Sequence, residues 1–439
     1  MSISTASPYA VQPTRKQVVT ATIASLLGWS LDLFDLFVLL YVAPDVGKLF
    51  FPSTNATLSL ASVYGSFAVT LLMRPLGSGL FGSLADRFGR KRAMITAVVG
   101  VGVLTALFGV LPTVHQVGVL APILFLILRL VQGICVGGVV ASTHTIGTES
   151  VSPKWRGLVS GLIGGGGAGI GSLIASIVYA IWSSVFPGPA FDVWGWRCMF
   201  FSGILSAVLG VFVFNSLEES PLWQQVKHLE AQTAPKAPVR SVFSTYRRIL
   251  LVNLMITVGG GSGYYLTSGY LPTFFKVVNK PPHGTVSMAL IAASLVVILA
   301  AVVVGHLSEV VGRKPVFLTV GVTALIAVPF LYHGMATTHS PGALVAYALI
   351  LVFLGNAAYA PIVAFLNERF PTQVRSTGTG LSWNMGFAVG GMLPTFVSLA
   401  AGTTANIPTA LTAFLMAALA LYLIGALVIP ETRGALRVS

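Results

Sequence analysis

Charge is what this sequence most lacks. Only 12 Asp and Glu and 25 Lys and Arg occur in 439 residues, so charged side chains make up 8% of the chain. Soluble domains carry about 25%, and a water-exposed globule of this composition would show apolar patches no monomer tolerates. Disorder is excluded for the same reason, since the chain is too apolar to prefer solvent. Cysteine is scarce too. Cys135 and Cys198 lie in or beside apolar runs without ligand-like spacing, which excludes a disulfide framework or thiolate metal site and makes them packing residues. Neither H-E-x-x-H, a phosphate-binding G-K-[ST] loop nor a His/Cys/Asp cluster occurs, so the parts of an enzyme are missing and no cofactor is called for.

What the chain has is apolar length. Hydrophobic residues make up 55% of it, and mean hydropathy is +0.87. Twelve runs, from 18–42 to 408–429, reach the roughly 20 residues a bilayer span needs, predicting an all-α membrane protein; barrel strands alternate and never give such runs. The seventh run, 249–275, is the most broken, by Gly259–Gly261, Gly263, Gly269 and Pro272. Broken backbone is tolerated at that depth only where protein packs it or it lines a wet cavity. The longest polar stretch separates six runs from six. The organisation expected is therefore an N-terminal bundle over 1–216, a cytoplasmic linker over 217–248 and a C-terminal bundle over 249–439.

A net charge of +13 raises the question of nucleic acid, but the bases form no patch on a polar domain. They flank the apolar runs on one side. Of the 25 Lys and Arg, only Lys48, Arg197, Lys276 and Lys280 fall in segments on the other side, and Arg74 and Arg129 lie within runs. The positive-inside rule then predicts both termini in the cytoplasm. The partners expected are the lipid bilayer and a small-molecule substrate, with no nucleic acid and a monomeric chain.

The two halves repeat one another. Gly82-Ser-Leu-Ala-Asp86-Arg87-Phe-Gly89-Arg90-Lys91 follows the second run, and Gly305-His-Leu-Ser-Glu309-Val-Val-Gly312-Arg313-Lys314 follows the eighth. Glu149-Ser-Val-Ser-Pro153-Lys-Trp-Arg156 is matched by Glu368-Arg-Phe-Pro371-Thr-Gln-Val-Arg375, and Glu218-Glu219-Ser-Pro221 by Pro430-Glu431-Thr-Arg433. Three motif pairs in the same order, in nearly the same register, mark a duplicated six-helix unit of the kind found in secondary transporters.

These residues resemble the major facilitator superfamily over essentially the whole chain, with the Gly82–Arg92 loop matching its signature. A closer resemblance is to the bacterial metabolite:proton symporters. It rests on Phe50-Phe-Pro-Ser53, Arg74-Pro-Leu-Gly77, Arg129-Leu-Val-Gln132-Gly133, Tyr264 to Pro272 and Trp383-Asn384 to Pro394. Two departures stand out: Asp32-Leu-Phe-Asp35 replaces that family's Glu-Trp-Tyr-Asp, and Gly137-Gly138-Val139 replaces its Gly-Gly-Glu. The first pattern and Ser142-Thr143-His144 also resemble the sialate and lactate branch. The resemblance implies proton-coupled import of a small metabolite, commonly a carboxylate or zwitterion.

Charges inside a bilayer are costly and mark functional sites. Four lie within the runs: Asp32, Asp35, Arg74 and Arg129. Asp32 and Asp35 share a helix face, so mutual repulsion and burial predict that one holds a proton near neutral pH. In sugar porters, which the chain also resembles, an acid matching Asp35 pairs with an arginine matching Arg129. Protonation of Asp35 is thus expected to release Arg129 toward an anionic substrate, with Asp32 as second coupling candidate. Arg74, nearer the inner end of its run, is expected to attract substrate anions. Tyr264, Tyr265, Asn356, Tyr359, Trp383 and Asn384 supply polar aromatic and amide groups at the depth where repeats meet, and with Arg129 and Arg74 they form the expected substrate site. The acids that recur among the loop bases (Gly82, Asp86, Arg87, Gly89, Arg90, Glu149, Arg156, Glu309, Arg313, Glu368 and Arg375) are expected to pair as a cytoplasmic gate. The function expected is symport of a small organic anion, with a proton-coupled exchanger or efflux pump as the alternative.

Overall fold

Apolar chain in lipid must satisfy its own backbone hydrogen bonds, and helices do so within one segment. In the computed structural model this governs the whole architecture. Residues 15–88, 90–149, 156–215, 238–370 and 375–434 are described here; side chains at 82–94, 140–157 and 375–376, among others, lie outside the description. We number the long helices α1 (Arg15–Tyr41), α2 (Ala56–Phe88), α3 (Arg90–Phe108), α4 (Leu120–Glu149), α5 (Leu158–Val185), α6 (Phe191–Phe212), α7 (Arg247–Asn279), α8 (His283–Val311), α9 (Arg313–Thr337), α10 (Pro341–Arg369), α11 (Arg375–Ala401) and α12 (Ile407–Val428). Eleven are long and apolar enough to cross a membrane, and the third contributes the shorter apolar segment Ile95–Phe108. Large apolar side chains such as Leu76, Leu80, Phe212 and Phe330 face outward, as a lipid solvent permits.

Helix α1 packs on α4, α5 and α6, while α7 packs on α10, α11 and α12. Two broad contacts join these groups: α2 lies against α11, and α5 against α8. The repeat makes α2 equivalent to α8 and α5 to α11, so each contact is the image of the other. The α5–α8 seam is made by small residues. A Cβ on Gly161 would meet the Ala301 carbonyl at 2.8 Å, one on Gly165 would meet the Ala301 Cβ at 2.7 Å, and Gly169 abuts Ile298. Glycines at four-residue spacing let two backbones approach where any side chain would hold them apart.

Several helices widen or break where the sequence is rich in glycine or proline. Helix α5 contains a π turn at Leu162–Gly166, and α7 contains two, at Tyr265–Gly269 and Phe275–Asn279. Such turns gather at functional positions. The interruption expected in the seventh span is present; a second, in α10, is not evident from its hydropathy. There Pro341–Ala357 ends, turns carry Tyr359 to Pro361, and Ile362–Arg369 resumes. Of the polar linker, 216–237 lie outside the described residues. Its later part forms a helix, Pro238–Ser244, that buries Val242 against Leu250 and Phe370.

Candidate substrate and coupling site

Where the two groups of helices meet, aromatic rings close on one another. Tyr264 and Tyr265 stand at the π turn of α7, with ring centroids 5.1 Å apart. Tyr359, on the interrupted segment of α10, stacks on Tyr264 at 5.7 Å and meets Trp383 and Phe387 of α11 at 5.4 and 5.2 Å. Trp383 and Phe387, one helical turn apart, stack at 4.1 Å. From the other half, Trp29 meets Trp383 edge-on at 6.1 Å, Phe37 meets Tyr264, and Phe67 meets Tyr265. The Trp29 indole N–H donates to the Gly164 carbonyl at 2.9 Å, inside the π turn of α5. The aromatic cluster is thereby tied to the seam.

One charged pair faces this aromatic wall. Arg74 Nη2 lies 3.8 Å from Asp32 Oδ2, and both side chains are almost wholly buried. That separation exceeds a hydrogen bond, and neither Asp32 oxygen receives one from a described residue. Tyr265 and Tyr359 lie within electrostatic reach of both groups. Arg74 thus sits inside the protein beside Asp32.

Asp35, one turn further along α1, faces the interior of its own bundle. Its Oδ2 accepts from Ser206 Oγ of α6 at 3.0 Å, while Oδ1 has no partner among the described residues. The ion pair that the resemblance implies between Asp35 and Arg129 is not formed within 4 Å. Arg129 instead donates through Nη1 to Gln132 Oε1 at 2.6 Å and lies over the Phe108 and Phe125 rings, 4.2 and 5.2 Å from their centroids. Gln132 in turn donates to Thr105 Oγ1 of α3 at 2.8 Å. The two acids therefore have different surroundings: Asp32 lies near the aromatic cluster and Arg74, and Asp35 lies beside a hydroxyl-and-amide network. Arg129, expected to meet substrate, lies with the second group. Asn356 donates to Ser268 Oγ and the Val352 carbonyl, which fixes it beside α7. Asn384 is half-buried on α11 next to Trp383, with an Oδ1 that accepts no hydrogen bond from the described residues.

At the end bearing the basic loops, Arg313 is fully buried and collects two acids, Glu309 at 2.6 Å and Glu368 at 2.9 Å, with Ser308 Oγ also accepting from it. Thr432 donates to Glu368 at 2.7 Å. Glu431 accepts from the backbone N–H groups of Arg313, Lys314, Thr432 and Arg433. Burial opposes its ionisation, but those four donors outweigh it and hold the carboxyl below the usual range. Gly312 makes this possible: its φ is +118°, and a Cβ there would lie 2.6 Å from the Glu431 carboxylate. The motif's glycine is thus explained by backbone conformation and close approach. These contacts all lie within one half. The corresponding N-terminal residues, Gly82, Asp86, Arg87, Gly89, Arg90, Glu149 and Arg156, and also Arg375, have side chains outside the described residues.

At the opposite end the halves are joined. Lys276 Nζ donates to Asp45 Oδ2 at 2.6 Å and lies over the Tyr179 and Phe191 rings at 5.2 and 5.0 Å. Tyr64 shares a hydrogen bond with Thr273 at 2.8 Å and stacks on Tyr270. Sequence reading missed this pair, and it missed Trp29, Phe387, Gln132 and Ser206 as site residues. Trp29 and Phe387 carried a signal, being one turn from Asp32 and Trp383 respectively; Asp45 and Lys276 carried none, because nothing local pairs residues so far apart.

The Major Facilitator Superfamily model matches residues 18–395. A proline/betaine transporter of Escherichia coli is 27% identical over 402 residues, covering 90% of this chain and 79% of its own. An alpha-ketoglutarate permease of the same organism is 30% identical over 392 residues, covering 87% and 86%. An inner membrane metabolite transport protein of E. coli is 28% identical over 417 residues and 94% of each chain. Among solved structures, a partially occluded inward-open conformation of the E. coli xylose transporter superposes with a TM-score of 0.72 at 17% identity, covering 95% of this chain and 99% of that one. That likeness is one of fold. The span of the family match and the relatives at this coverage make the chain a member of the major facilitator superfamily, a multi-pass transporter of the bacterial inner membrane.

Proposed function

We propose that this protein imports a small carboxylate-bearing metabolite in symport with protons, by alternating access, with both termini in the cytoplasm. The observation that carries the reading is the Asp32–Arg74 pair. A buried arginine and carboxylate stand 3.8 Å apart, and neither Asp32 oxygen accepts a hydrogen bond from a described residue, which supports a third, charged party at this pair. A substrate carboxylate offers Arg74 a charge-assisted bidentate partner, which an ion pair at this distance does not. Behind them, Asp35 serves as the proton site. In that orientation Asp45–Lys276 and Tyr64–Thr273 belong to the outer side and hold it closed, which supports an outward-closed state.

The surrounding rings favour a zwitterion within this class. Tyr264 and Tyr359 lie within electrostatic reach of Asp32, Trp29 and Trp383 belong to the same ring cluster, and an ammonium, above all a methylated one, is attracted to aromatic rings. A molecule bearing both charges can enter the pair with its carboxylate toward Arg74 and its ammonium toward Asp32, so no net charge is buried. The proline/betaine transporter among the relatives is consistent with that choice, and the alpha-ketoglutarate permease with a plain carboxylate.

Reconstituted proteoliposomes decide between these readings. A panel of radiolabelled betaines, imino acids, mono- and dicarboxylates is offered with an inward proton gradient. Symport requires accumulation that collapses with a protonophore; equal flux without the gradient refutes proton coupling. Efflux driven by the gradient would establish the exchanger or pump instead.

A further inference from the structure

Arg129 and Asp35 carry complementary, unused hydrogen-bonding capacity. Arg129 spends one donor on Gln132, while its Nε and Nη2 find no acceptor among the described residues. Asp35 spends one oxygen on Ser206 and leaves Oδ1 without a partner. Both side chains are buried, within electrostatic reach of each other but with no ion pair within 4 Å. An ionised carboxylate and a guanidinium at such depth gain most by pairing. In this structure that pairing is left unmade.

Gln132 has the geometry of the holder for this position. It lies three residues after Arg129 on α4, so the two side chains meet on one helix face. Its amide is fixed at both ends: the oxygen accepts from Arg129 at 2.6 Å, and the nitrogen donates to Thr105 Oγ1 at 2.8 Å. Thr105 itself stands beside Asp35. A glutamine satisfies one guanidinium donor without offering a charge, so it holds Arg129 firmly enough to keep it in place and weakly enough to lose it to a carboxylate. The charged groups in reach of Asp35 are Asp32, on its own helix, and Arg129. From α3 and α6 it meets the hydroxyls of Thr105 and Ser206, and α5 passes the neighbouring turn of α1 with Gly171.

We propose that Gln132 is a positioning residue for proton coupling: it holds Arg129 while Asp35 carries a proton and yields it to Asp35 when that proton leaves. The proposal rests on the proton-coupled reading above. Loss of the proton creates a carboxylate that accepts the two open donors of Arg129, and its return sends the guanidinium back to the amide. The swing takes place inside the N-terminal bundle, away from the Asp32–Arg74 pair, so proton and substrate have separate arginines.

Two substitutions of similar size displace the balance in opposite directions. Gln132→Met removes the holder, leaving Arg129 to Asp35; Gln132→Glu supplies a competing carboxylate. The readout is an infrared titration of the purified protein in lipid nanodiscs, following the protonated-carboxyl band that Asp35→Asn abolishes. Q132M is expected to lower the midpoint of that band by about one pH unit, a tenfold weaker hold on the proton, and Q132E to raise it by about as much. The pH of half-maximal uptake should move with each. Q132M decides the matter, because an added carboxylate at 132 also raises the midpoint by repulsion, and Q132E checks the opposite sign. Midpoints at the wild-type value in a protein whose uptake is proton-driven overturn the role of Gln132 and leave symport standing. Wild-type uptake that ignores the proton gradient overturns symport, and the proposal with it.

Discussion

Replacing Asp45 by Asn removes the carboxylate that joins the halves to Lys276 but leaves the ammonium among Tyr179 and Phe191. A hydrogen bond between charged groups contributes about 1.5–3 kcal/mol. The side chains here are 17% and 9% exposed, so solvent screens the pair only in part and about 2 kcal/mol is a fair figure. Two conformations that must interconvert lie within a few kcal/mol of each other. Withdrawing about 2 kcal/mol from the outward-closed state changes the ratio roughly thirtyfold, enough to turn a tenfold minority into the majority. The assay is maleimide labelling of Thr273→Cys, a fully buried position on the outer part of α7, in a background with Cys135 and Cys198 replaced by alanine. Asp45→Asn should accelerate labelling by at least tenfold. The double variant Asp45→Asn/Lys276→Gln should label more slowly than Asp45→Asn, since it removes the stranded charge, and the two effects should not add. An unchanged rate in Asp45→Asn would refute the reasoning: the pair would then be incidental to closure, and the Tyr64–Tyr270 stack would hold the outer side alone.

Other outcomes follow from the same geometry. Arg74→Lys keeps the charge but loses the planar fork, so substrate affinity measured by calorimetry should fall at least tenfold while the protein still folds. Asp32→Asn should discriminate the substrate classes: it weakens a zwitterion strongly and leaves a plain carboxylate bound, read by the same titration. Gly312→Ala forces a β-carbon into a positive-φ turn and against Glu431, and should cost about 1–3 kcal/mol, seen as a lowered melting temperature in detergent. Glu431, whose carboxyl is held below its ordinary 4.5, contributes stability that is complete above that value and disappears as pH falls through the depressed one. Glu431→Gln should therefore melt below wild type at pH 7, with the difference vanishing under strongly acidic conditions.

Much of the architecture was legible before any coordinates. Helices, their number to within the short third one, and the duplicated unit follow from apolar run length and paired motifs, because a bilayer leaves the backbone few choices. The four intramembrane charges were equally visible, since their cost makes each a candidate. Their pairing was not. Spacing places Asp32 and Asp35 near one face, but a small rotation of α1 decides which turns to Arg74 and which to Ser206. Local sequence does not set that rotation; the packing of α4, α5 and α6 does. The interruption of α10 was hidden for another reason. Ala357 to Ala360 are apolar or aromatic, and only Pro361 betrays the turn, whereas five glycines announce the break in α7. The tyrosines were named as polar aromatics, yet the cluster they form with Trp29 and Phe387 emerges only once both halves stand face to face.

The seam between α5 and α8 has a further consequence. With glycine at 161, 165 and 169, the surfaces that must roll past each other are largely main chain, whose polar atoms are already bonded along each helix. Beside those glycines the described residues hold no ion pair to break, while further along Ser172 and Ser176 of α5 meet Ser294 of α8 at 2.8 and 3.2 Å, so the seam works as a close-packed bearing with a hydroxyl latch at one end. Added volume at those three positions becomes a brake, and a graded one: alanine, serine and valine at Gly161, where a Cβ meets Ala301 and Gly305 of α8, would set the turnover rate by size. A protein slowed in this way offers a means of holding intermediates long enough to be seen.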